Sequence, residues 1–92
     1  MSTVNEVIQL LKSLEDDLNA YIYYDGQVGG LVSRSIKSLT EARGMLNEPT
    51  KLNAQETLKR VEGVRDEISP YAGYVPGFWT KINSVIEKLQ TF

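Results

Sequence analysis

The side chains available for chemistry are carboxylates, lysines, arginines, tyrosines, serines and threonines; the 92 residues include no cysteine and no histidine. That inventory excludes thiolate nucleophiles, disulfides, Cys/His zinc sites and a Ser-His-Asp triad. It also lacks the usual general base near neutral pH. The run Glu15-Asp16-Asp17 points in three directions around one helical turn and cannot converge on one metal ion. Glu62 and Asp66 share a face at i, i+4, but paired metals in helical bundles use a Glu-x-x-His motif on two of the helices. The stretch "GQVGGLVSR" places Gly26, Gly29, Gly30 and Arg34 where a helix would start. It lacks the Gly-Lys-Ser/Thr of a phosphate-binding loop. The expectation is therefore no catalytic residue, no metal and no cofactor.

The elements that position these residues are legible from apolar spacing. Val4, Val7, Leu11, Leu14, Leu18 and Tyr21 alternate steps of three and four, which predicts a first helix over about 3–24. Thr3 with Glu6 has the form of a capping box. "DGQVGG" marks a turn, and Val32, Ile36, Leu39, Ala42 and Leu46 predict a second helix over 31–47, stopped by Pro49. Asn53 with Glu56 offers a second capping box for a third helix over 53–70, carrying Leu58, Val61, Val64 and Ile68. Pro70 ends or kinks it, and Pro76 suits the first turn of a fourth helix over 77–91. Phe78, Ile82, Val85, Leu89 and Phe92 form that helix's stripe. "YIYYDGQV" also carries a hairpin signal, with no third strand to support it. Four amphipathic helices with short connections predict a single all-α domain over 1–92, an antiparallel up-down four-helix bundle.

That frame puts three charges on apolar faces. Glu15 falls between Ile22 and Ile8, Arg65 between Leu58 and Ala72, and Arg43 between Val32 and Ile36. The expectation is a partly buried Glu15–Arg65 ion pair with Arg43 reaching toward it. The competing arrangement has each charge at a stripe edge, reaching water along its own stem.

The frame also polarises the molecule. Half of the eight aromatics lie in "PYAGYVPGFW" (70–79). The connection after the first helix and the one before the fourth share an end of an up-down bundle. Seven of the eight aromatics and five of the seven glycines gather there. Tyr21, Tyr71 and Phe78 fit an aromatic cap on the core. Tyr23, Tyr24, Tyr74 and Trp79 are the candidate partner-binding residues, because exposed Tyr and Trp are what binding hot spots are made from.

The bulk numbers narrow the function classes. The net charge of −2 argues against a nucleic-acid binder. No uncharged run is long enough to span a membrane, and the start of the chain lacks the basic region of a signal peptide. The sequence therefore points to a cytoplasmic, non-enzymatic helical bundle that binds another protein through its aromatic end, with self-association as a second partner class. The alternative is an immunity-type or small-apolar-ligand-binding bundle. In size and helix number the chain is similar to the small bacteriocin-immunity proteins, a likeness of architecture without a shared motif.

Overall fold

The computed structural model describes residues 3–23 and 26–91. Its regular structure is entirely helical: α1 (Thr3–Asn19), α2 (Gly26–Met45), α3 (Lys51–Ile68), a 3₁₀ segment (Ser69–Tyr74) and α4 (Phe78–Gln90). Among the described residues there is no strand, so the hairpin signal in "YIYYDGQV" does not express itself there; Tyr24 and Asp25 lie outside them. α1 and α3 each pack on both α2 and α4. The molecule measures 38 × 20 × 19 Å.

The apolar stripes supply the core. Val7, Leu11, Leu14 and Leu18 of α1 meet Val32 and Leu39 of α2, Val61, Val64 and Ile68 of α3, and Phe78, Ile82, Val85 and Leu89 of α4. Each fully buried Leu, Ile or Phe contributes roughly 1.5–3 kcal/mol by leaving water. Phe92, expected to close the last stripe, lies outside the described residues.

The helix ends depart from the patterning, each for a local reason. α1 stops at Asn19, short of 24. The next residues tighten into i→i+3 bonding: the Tyr21 amide donates to the Leu18 carbonyl at 2.9 Å and Ile22 to Asn19 at 3.5 Å. Tyr21 and Ile22 still pack on the core, so the stripe outlasts the helix. α2 begins at Gly26, five residues before the expected start. Packing of Val28, Leu31 and Val32 overrides the weak helical preference of the neighbouring glycines. α3 is capped by Thr50, whose hydroxyl accepts the Asn53 amide at 3.1 Å. Asn53, the expected cap, instead donates its side-chain amide to the carbonyls of Glu48 (2.7 Å) and Met45 (3.2 Å). Glu6 does not fold back on the start of α1. Its carboxylate reaches Lys88 of α4 at 2.9 Å, and that hydrogen bond and charge hold its carboxyl below the usual range.

Among the described residues one carboxylate is buried. Glu15 accepts from Arg43 Nε at 2.8 Å and Nη2 at 3.1 Å, and from the Thr40 hydroxyl at 2.6 Å. The pairing is therefore Glu15–Arg43 and not Glu15–Arg65. Thr40 and Arg43 stand one turn apart on α2, the helix that packs directly on α1. Arg65 stands on α3 and turns to its neighbour Asp66 at 3.1 Å. The bond to Glu15 pushes the Arg43 guanidinium further above its already high range, so it stays charged wherever the protein is folded.

Two stability outcomes follow. The Arg43 side chain is 30% exposed and the Glu15 side chain 11%. Glu15→Ala leaves an arginine with a route to water and should cost about 1–2 kcal/mol. Arg43→Ala strands the more buried carboxylate and should cost more, about 2–3 kcal/mol. Urea denaturation at neutral pH checks the order, and equal, negligible losses would show the pair to be unimportant. The second outcome concerns Ser35, whose buried hydroxyl has no hydrogen-bond partner among the described residues. Ser35→Ala removes that unmet group and favours the helix, so it should leave stability unchanged or raise it by about 1 kcal/mol. A clear loss in the same denaturation experiment would mean that the hydroxyl has a bonded role.

Candidate functional site

The most distinctive surface is the end where α1 finishes, α2 starts and the 3₁₀ segment leads into α4. Two polar contacts gather these pieces. The Tyr21 hydroxyl donates to the Tyr74 carbonyl at 2.7 Å, across 53 residues of chain. Asp17 near the end of α1 pairs with Lys81 in the first turn of α4. The "EDD" carboxylates thus diverge, Glu15 to α2 and Asp17 to α4. Among the described residues, no cluster of His, Cys, Asp or Glu could hold a metal ion.

"PYAGYVPGFW" resolves into two successive devices. Pro70 lies in the first turn of the 3₁₀ segment, where the missing amide costs nothing. Val75-Pro76-Gly77-Phe78 then makes a tight turn, with the Phe78 amide donating to the Val75 carbonyl at 3.1 Å. Gly77 has φ 78° and ψ −1°. A proline followed by a glycine in that conformation is the signature of a type II turn. Pro76 therefore precedes α4 instead of occupying its first turn, and Gly77 serves as the N-cap. The turn delivers Phe78 into the core, where it is fully buried. Trp79 follows on the outside, edge-on to the Phe78 ring with centroids 5.8 Å apart and planes at 74°.

The candidate binding residues separate by exposure. Tyr23 is 83% exposed, Tyr74 75% and Trp79 40%. Tyr24 lies outside the described residues. Tyr21 and Tyr71 are half-buried against the core end. Between α2 and the 3₁₀ segment opens an apolar pocket of about 440 Å³. Leu18, Val28, Leu31, Tyr71, Tyr74 and Val75 are among its walls. Tyr74 is thus both exposed and part of the pocket, whereas Tyr23 and Trp79 do not line it.

Sequence reasoning did not single out Val28, Leu31 and Val75 as site residues. Val28, Leu31 and Val32 carry the i, i+3, i+4 spacing of a helix face, but the glycines around them concealed it. Val75 is recognisable only once the turn folds it inward.

Gly77 carries a testable consequence. A Cβ there would meet only Lys81 Cε at an ordinary 3.8 Å, so the penalty of Gly77→Ala lies in the backbone. It should destabilise the protein by about 1–2 kcal/mol. Gly63 lies inside α3 with open space around it, and Gly63→Ala should stabilise by about 0.5–1 kcal/mol. Thermal unfolding of the two variants should move in opposite directions; parallel shifts would contradict the turn assignment.

No protein-family model, curated protein or solved structure matches this chain.

Proposed function

We propose that the protein is a cytoplasmic, antiparallel up-down four-helix bundle that acts without catalysis, binding another protein through its aromatic, glycine-rich end. The observation that carries this reading is the exposure of Tyr23, Tyr74 and Trp79 at one end of the molecule. Large aromatics left in water have not been used to build the core. Around an apolar pocket they resemble a binding surface more than the edge of a cap. The Tyr21–Tyr74 contact supports the up-down course of the chain, since the end of α1 and the segment after α3 share one end of such a bundle, and the Glu15–Arg43 contact ties α1 to the helix that follows it. A second copy of the chain is a partner of the same class.

A specific observation favours a second reading of the same end. The pocket's volume of about 440 Å³ falls in the range of roughly 300–1,000 Å³ typical of small-molecule sites. A small apolar ligand is therefore the alternative occupant.

The test of the first reading is affinity capture with the wild-type protein against a Tyr23→Ala/Trp79→Ala variant, neither residue being a pocket wall. The expected result is a discrete partner retained by the wild type and lost by the variant, with unchanged circular dichroism in both. Light scattering on the same samples reports a partner that is a second copy. An identical set of captured proteins and identical mass for both forms would overturn the reading.

A further inference from the structure

The apolar pocket does not stand alone. Beside it on α2 lies a second, more open hollow lined by Gly26, Gln27, Gly30, Leu31, Arg34 and Tyr71. Leu31 and Tyr71 are walls of both. The two spaces therefore meet across one pair of side chains.

Arg34 supplies the charge. Its side chain folds back along α2 over Gly30, so that Nη1 would stand 3.5 Å from a Cβ at that position. That is ordinary van der Waals contact, so the guanidinium lies along the helix beside Gly30, where both residues line the second hollow. Arg43, Arg60, Arg65, Lys81 and Lys88 each have a carboxylate partner. Arg34 has none among the described residues. A guanidinium without a carboxylate partner among the described residues thus stands beside an apolar cavity of small-molecule size. On the far side, the Tyr21 hydroxyl already donates to the Tyr74 carbonyl.

We infer that the two hollows form one bipartite site for a single-chain amphipathic carboxylate, with the alkyl chain in the apolar pocket and the carboxylate on Arg34. This rests on the small-ligand reading of the pocket. The charge complement selects the head group. A guanidinium matches a carboxylate with two parallel hydrogen bonds. Among the described residues no second cation lines either hollow, so a singly charged head is matched better than a doubly charged phosphate.

The test compares two probes of equal chain length, decanoate and decan-1-ol, below their aggregation concentrations near neutral pH. Binding is followed by amide chemical shifts in ¹⁵N-labelled protein. Both probes should shift Leu31, Tyr71 and Val75, with decanoate the tighter by about fivefold or more, the effect of one partly screened charge contact. Arg34→Glu should abolish that preference while decan-1-ol binds as before. Val28→Trp should fill the pocket and exclude both probes; Leu31→Trp serves the same purpose if the first variant loses its native shift dispersion. Equal binding of the two probes, or a decanoate preference that survives Arg34→Glu, overturns the carboxylate assignment and leaves the small-ligand reading standing. Failure of both probes to bind overturns both.

Discussion

A buried carboxylate cannot be left alone, and Glu15 makes that a constraint on the whole molecule. Its two oxygens are satisfied by Arg43 and Thr40, both on α2, so α1 has one register against that helix. Sliding α1 by a turn would remove the carboxylate from its donors, a loss of a few kcal/mol on a small core. With the register set there, Leu18 and Tyr21 come level with Val32, Leu31 and Val28, and these residues face one another across the apolar pocket. A pair that adds little net stability therefore decides where the pocket walls stand.

The opposite wall depends on how the chain turns between α3 and α4. A 3₁₀ segment beginning at Ser69 and a Pro76-Gly77 turn carry the chain from α3 into α4. The turn buries Phe78 and leaves Trp79 on the outer face beside it. The Tyr21 hydroxyl ties this segment back to the end of α1. The aromatics of this end thus divide by task. Phe78 is core, Tyr21 is a tether and Tyr71 is a shared wall. Tyr74 is wall and surface together, while Tyr23 and Trp79 are surface.

Some of this was legible in the residues. The four apolar stripes named the core faces because burial imposes a period near 3.6 on any helix with one wet side. Pro49, Pro70 and Pro76 fell near the breaks. The caps were less legible, because Thr50 and Asn53 are both competent and only the path of the chain between α2 and α3 chooses between them. Asn53 is needed to hold the carbonyls of Met45 and Glu48, which leaves the cap to Thr50. The partner of Glu15 was undetermined for the same kind of reason. Two arginines lie on apolar faces at suitable heights, and the helix that packs beside α1 decides which one is within reach.

What the sequence determined by itself was local: which segments are helical, which sides of them are apolar, and which chemistries are impossible without cysteine or histidine. These depend on residue types and on spacings within one or two turns. The tertiary structure alone decided the Glu15–Arg43 pairing, the extension of α2 back to Gly26, the inward turn of Val75 and the placing of Leu31 and Tyr71 as walls of two neighbouring hollows. Each brings together groups far apart in the chain, or lets packing override a weak local preference. Their free energy exists only once the neighbouring helix is in place.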